Sequence, residues 1–134
     1  MIKTTNNVEQ TLQPGGTLTM QLVHSSRRGC ECFMDNTNSV RLTSSGTYEI
    51  SWGGNIGGET AGTPVQVSIT LGEAVLPGST MISTPAAVTD RNSVSRTISV
   101  GNCCGDYNRV FIRNTGTVPV IIGEDSLLFI HRIS

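Results

Sequence analysis

The sequence predicts an all-β fold: an antiparallel two-sheet sandwich of the jelly-roll kind. Three observations carry it. Apolar residues alternate with polar ones at a period of two in several short runs. These runs recur about every ten residues between Gly-, Ser- and Asn-rich turns, as they do in sandwiches. No segment of helical length repeats its apolar residues at helical spacing, and the 31 serines and threonines, 15 glycines and 4% aromatics favour strands and turns.

Residues 1–13 are polar, hold few core-forming side chains and are expected to form an extended N-terminal arm, leaving 14–134 as one jelly-roll domain. The first strand is expected over Thr17–Val23, with Leu18, Met20 and Leu22 as its apolar set. Tyr48, Ile50 and Trp52 alternate with Glu49 and Ser51 after the turn signal Ser44-Ser45-Gly46. The glycines that follow, from Gly53 to Gly58, lack the Lys-Ser/Thr of a phosphate-binding loop and read as a flexible loop or bulge. Val65, Val67, Ile69 and Leu71 alternate with Gln66, Ser68 and Thr70. Val94, Ile98 and Val100 share a face with the exception Arg96. Val110–Arg113 leads through Asn114-Thr115-Gly116 into Val118–Ile122, which reads as a hairpin with Pro119 at an edge or bulge. In the last strand, Leu127–Ile133, both faces are largely apolar, so one fills the core and the other needs a second cover.

Composition excludes several functions. Nine Lys and Arg against ten Asp and Glu give a net charge of −1, with Lys3 the single lysine, so binding to nucleic acid is not expected. No apolar run reaches the roughly 18 residues of a membrane-spanning helix, and the N-terminus lacks the apolar stretch of a signal peptide, so synthesis in a reducing cytoplasm and no membrane partner are expected.

Four cysteines, Cys30, Cys32, Cys103 and Cys104, could form a disulfide or a cluster of reduced thiols. Neither Cys-x-Cys nor Cys-Cys is the spacing that favours zinc, and adjacent cysteines in an extended segment point to opposite sides. Glu124, Asp125 and Asp106 stand in loops but match no calcium-loop spacing. A serine-hydrolase reading would need His131 with a carboxylate such as Glu124 or Asp125, yet no Gly-x-Ser-x-Gly elbow exists. No metal, cofactor or catalysis is expected. A histidine at a subunit interface or rim is the reading adopted for His131.

Ser45–Trp52, then Val65–Ile69, then Leu76-Pro77-Gly78, then Leu127–Ile130, in that order and spacing, resemble the C1q/tumour-necrosis-factor (TNF) jelly roll, in its bacterial and phage branch. Arg27-Arg28-Gly29-Cys30 before the Gly-x-Tyr strand and Cys103-Cys104 after a later strand are similar to elements of short phage and prophage proteins. The resemblance covers about residues 15–134, and the chain departs from the collagen-like members in having no Gly-X-Y stalk. It implies a homotrimer, no catalysis and a place in a phage virion, made in the bacterial cytoplasm. There the chain would be a capsid (head) decoration or head-fibre protein with the major capsid protein or another virion protein as partner. The alternative it leaves is a receptor- or glycan-binding domain of a tail fibre or of a bacterial surface or spore-coat adhesin, with a host surface glycan as ligand. In a trimer, Phe129, His131 and Ile133 would line the subunit interface if Leu128 and Ile130 point into the core; the alternation alone permits the reverse.

Overall fold

The computed structural model describes residues 1–26, 32–34, 36–103 and 108–134. Among these residues there is no helix, and the strands form two antiparallel sheets packed face to face. The first sheet has seven strands: β1 (Ile2–Thr5), β2 (Gln10–Leu12), β3 (Gln21–Ser25), β6 (Gly46–Gly58), β10 (Asn92–Asn102), β12 (Val120–Ile122) and β13 (Leu127–Arg132). β6 is its spine: β10 pairs along one side, and β13 and β12 share the other. β1 and β3 follow β13, and β2 follows β12. The second sheet has six: β4 (Cys32–Met34), β5 (Val40–Leu42), β7 (Val65–Leu71), β8 (Ala74–Val75), β9 (Met81–Ser83) and β11 (Asn108–Asn114). There β11 lies between β5 and β7, and β7 carries both β8 and β9.

Period-two alternation sends one side chain of each pair into a common core. Tyr48, Ile50 and Trp52 of β6 meet Val65, Val67 and Ile69 of β7, with Val110 and Ile112 of β11 and Leu128 and Ile130 of β13, all buried.

Four expectations are corrected. Residues 1–13 are not an extended arm: they contribute two strands, β1 and β2, to the seven-stranded sheet. β1 pairs with β13 on one side and β3 on the other, Ile2 and Thr4 are buried, and β2 pairs with β12. A three-residue alternation with one large apolar side chain is too short to show in the sequence, but pairing on both sides holds it. Asn6 closes the turn after β1: its amide donates to the carbonyls of Val8 (3.0 Å) and Gly123 (2.9 Å), and its Oδ1 accepts from the amide and hydroxyl of Ser126.

Thr17–Val23 is not one strand. Leu18 and Met20 enter the core while their amides donate to Ile112 and Thr37; only then does the chain join the sheet as β3, at an edge where Leu22 and Val23 are exposed. The segment from Gly53 to Gly58 is strand, the second half of β6, because it is crowded on both faces. A Cβ on Gly54 would lie 2.9 Å from the Ser126 Cβ and 3.0 Å from two Trp52 ring carbons, and one on Gly57 would lie 2.5 Å from the Asp90 carbonyl oxygen.

Finally, β11 and β12 do not form a hairpin but belong to different sheets. Asn114, buried between them, shapes the crossing: it donates to the carbonyls of Leu12 (2.9 Å) and Val118 (2.8 Å) and accepts from the Gly116 amide (2.9 Å). Those bonds turn the chain from one layer into the other, with Pro119 immediately before β12, where no ladder donor is required.

Candidate functional site

On β13, Leu128 and Ile130 are buried in the sandwich, whereas Phe129 and His131 lie half-buried on the outer face of the seven-stranded sheet. Register builds the surroundings. Phe129 stands between Lys3 of β1 and Ser51 of β6, and His131 stands beside Glu49 of β6. The Phe129 and His131 rings are 5.0 Å apart and tilted by 46°, the Lys3 Nζ is 5.6 Å from the Phe129 centroid, and the His131 Nε2 is 4.0 Å from a Glu49 carboxylate oxygen. Farther across, the Thr97 hydroxyl of β10 donates to the Ser51 Oγ at 3.1 Å. Leu127, 45% exposed, extends the apolar row. His131 Nδ1 is buried and, among the described residues, has no hydrogen-bond partner. Ile133, exposed, lies past the end of β13 with its amide donating to the Thr47 carbonyl.

The carboxylate beside His131 is therefore Glu49, not Glu124 or Asp125. The latter two sit in the β12–β13 turn, where Asp125 adopts φ 66° and donates its amide to the Asn6 carbonyl. Lys3 was hidden within the expected arm, and Glu49 was visible as the outward member of the Tyr48–Trp52 alternation.

A second apolar surface lies at the sandwich edge where β9 and β10 are neighbours. β10 pairs with β6 alone and β9 with β7 alone among the described residues. Ile82 of β9 is 60% exposed, and Val94, Ile98 and Val100 of β10 are only partly buried. Arg96, on the same strand, projects into solvent.

Among the cysteines, Cys32 on β4 is disulfide-bonded and packs against the core, while Cys103 carries a free, exposed thiol. Cys30 and Cys104 lie outside the described residues, as does Asp106. Among the described residues no three His, Cys, Asp or Glu side chains come together to hold a metal ion.

Two β-sheets with this strand order, a long central β6 and the C-terminal strand between β6 and the N-terminal strand, define a TNF/C1q-like jelly roll. No protein-family model matches the chain, and no curated protein does. Solved structures match over nearly all of it. The Eiger TNF of S. frugiperda is 12% identical with a TM-score of 0.68, covering 99% of this chain and 91% of its own. The globular domain of the zebrafish complement 1qA protein is 12% identical with a TM-score of 0.70, covering 99% and 96%. The PRD1 vertex protein P5, from a phage, is 12% identical with a TM-score of 0.53, again covering 99% and 96%. At such identities the likeness is one of fold.

Proposed function

We propose that the chain is a non-enzymatic structural protein of a phage virion, a homotrimeric capsid decoration or head-fibre protein that docks on the major capsid protein or another virion protein. The observation that carries the assembly is the pair of unlike apolar surfaces on one subunit, the Leu127–Phe129–His131 face and the Ile82-bearing edge of β9 and β10. Surfaces that differ meet head to tail, and a head-to-tail contact that closes makes a ring. Phe129 and His131 are then interface residues. The likeness to a phage vertex protein supports a place on the virion.

Two measurements test the reading. Native mass spectrometry at micromolar concentration is expected to give three times the subunit mass; a stable monomer overturns the assembly. Immunogold labelling of particles released from the producing cells is expected to mark virions, and label confined to cell surfaces overturns the virion assignment in favour of an adhesin.

A further inference from the structure

The two surfaces that the proposed assembly brings together carry opposite charges. Glu49 is the one Asp or Glu in the seven strands of the first sheet. It projects from β6 onto the outer face, partly exposed, between Tyr48 and Ile50, whose side chains enter the core. Arg96 is the one charged residue of β9 and β10. It stands opposite Trp52 in the β6–β10 ladder, on the side of β10 that carries Val94, Ile98 and Val100 toward the core. It is exposed all the same, at an edge where β9 has three residues and β10 has eleven.

Neither charge is matched by an opposite fixed charge within the subunit. Among the described residues Arg96 donates only to the carbonyl of its neighbour Ser95, at 3.1 Å, and meets no carboxylate. Glu49 has His131 at 4.0 Å, a contact between charges only when the imidazole is protonated. Lys3 lies across β13 from Glu49, over the Phe129 ring. In an isolated subunit water solvates both groups. Once a neighbour covers the Phe129–His131 face, the Glu49 carboxylate loses that water, and a charge buried without a partner costs far more than a paired one.

We propose that Arg96 of one subunit pairs with Glu49 of a second copy of the chain, fixing the register in which the β9–β10 edge meets the outer face. The inference rests on the head-to-tail contact proposed above and adds what selects it: the single charge of the edge is opposite in sign to the single carboxylate of the face. The levels are compatible. In a ring whose axis runs along the strands each residue keeps its height, and Arg96 is three positions along β10 from Ser99, which stands opposite Glu49. That is about 10 Å at strand rise, a span the two side chains bridge together. An inward charge on an edge strand also has a plainer use, keeping edges from pairing with one another. Such a gatekeeper needs no carboxylate, so the two accounts part when the sign of the charge is reversed.

The test is native mass spectrometry over a concentration series for the parent, Arg96→Glu, Glu49→Arg and the double variant, which carries the parent's net charge; circular dichroism checks the fold of each. A single reversal sets like charges against each other in every contact and is expected to raise the concentration at which trimer gives way to monomer about tenfold or more. The double variant is expected to return to the parent's value. A folded single reversal that assembles like the parent, as a gatekeeper charge predicts, overturns the pairing and leaves the assembly standing. So does a folded double variant no better than the single ones. A monomeric parent overturns the assembly and the pairing with it. If a reversal unfolds the chain, Arg96→Gln and Glu49→Gln take its place: each is expected to weaken the trimer, and the two together no more than either alone, whereas additive losses overturn the pairing.

Discussion

Asn6 sits in the stretch that reads as an arm in the sequence and as sheet in the structure, so it is where that correction can be tested. Its side chain is 1% exposed and makes four hydrogen bonds: two donated, to Val8 and Gly123, and two accepted, from the amide and hydroxyl of Ser126. Asn6→Ala removes all four. The Val8 carbonyl, next to an exposed side chain, can turn to water, whereas the Gly123 carbonyl and the Ser126 groups are stranded in the interior. At about 1 kcal/mol for each bond lost, with the larger penalty for stranded groups, the loss is about 3 kcal/mol. Melting entropy scales with length, and for a chain of 134 residues each kcal/mol shifts Tm by about 3 to 4 °C, so the variant should melt about 10 °C lower. Asn6→Asp sharpens the test. At neutral pH its carboxylate faces the carbonyls of Val8 and Gly123, so the damage should be at least as large, and protonation at low pH should relieve part of it by restoring one donor. Thermal unfolding followed by circular dichroism measures both. An arm would make Asn6 replaceable: a Tm drop under about 3 °C for Asn6→Ala refutes its place as the keystone of the N-terminal strands.

Gly54→Ala puts a Cβ 2.9 Å from the Ser126 Cβ and 3.0 Å from the Trp52 ring, and is expected to cost about 1 to 3 kcal/mol as overpacking, read in urea unfolding together with a changed Trp52 fluorescence. If the proposed trimer forms through the outer face of β13, Phe129→Ala should dissociate it while leaving a folded monomer, whereas Leu128→Ala, in the core, should cost about 2 to 5 kcal/mol of subunit stability; analytical ultracentrifugation and urea unfolding separate the two, and the reverse pattern would place the interface on the wrong face of β13. Glu9 is held below its usual carboxylate pKa by the hydrogen bond from Arg91, with burial acting in the opposite sense and the Arg91 charge adding to the lowering. A lowered folded pKa means the contribution is present above the unfolded value of 4.5 and is lost as pH falls through the lower folded value, so Glu9→Gln should reduce stability slightly at pH 7 and leave it unchanged at the acid end of a pH series; because the pair is exposed, 1 M salt should erase the difference.

The sandwich was legible because Tyr48–Trp52 and Val65–Ile69 alternate at period two, and the burial of their apolar members follows. What failed were segments whose structure is imposed by neighbours. β1 has one large apolar residue, Ile2, and becomes strand through pairing on both edges. The glycines of β6 read as loop by propensity, yet each is small because another element lies on it: Ser126 and Trp52 at Gly54, Asp90 and Arg91 at Gly57. Asn114-Thr115-Gly116 is a turn in both views, and only the side-chain bonds of Asn114 decide that it joins two sheets rather than two neighbouring strands. The outer-face site was half legible. Alternation placed Phe129 and His131 together, but Lys3 and Glu49 come to them by register between strands more than 70 residues apart in sequence, a relation that no local pattern carries.

Moving the N-terminal stretch into the sheet changes how such a subunit could be anchored. A segment whose backbone pairs on both sides, with Ile2 in the core and the Met1 ammonium donating to the Ser26 carbonyl at 2.9 Å, cannot leave to tether the protein without breaking the sheet that bears Phe129. Anchoring and self-association would then compete for the same strands, and an attached subunit would lose part of the face that binds its neighbour. In the proposed assembly the outer face of the seven-stranded sheet and the β9–β10 edge are committed to neighbours. Attachment is thereby left to the remaining surfaces, the loops at the two ends of the sandwich among them. The end at which β1 meets β13 is tied together by side chains, the Ser126 amide and hydroxyl both donating to the Asn6 Oδ1 and the Thr5 hydroxyl donating to the Ser126 carbonyl, so a contact made there would bear directly on β13. In the proposed assembly, the strand that seals the core would then also link docking to self-association.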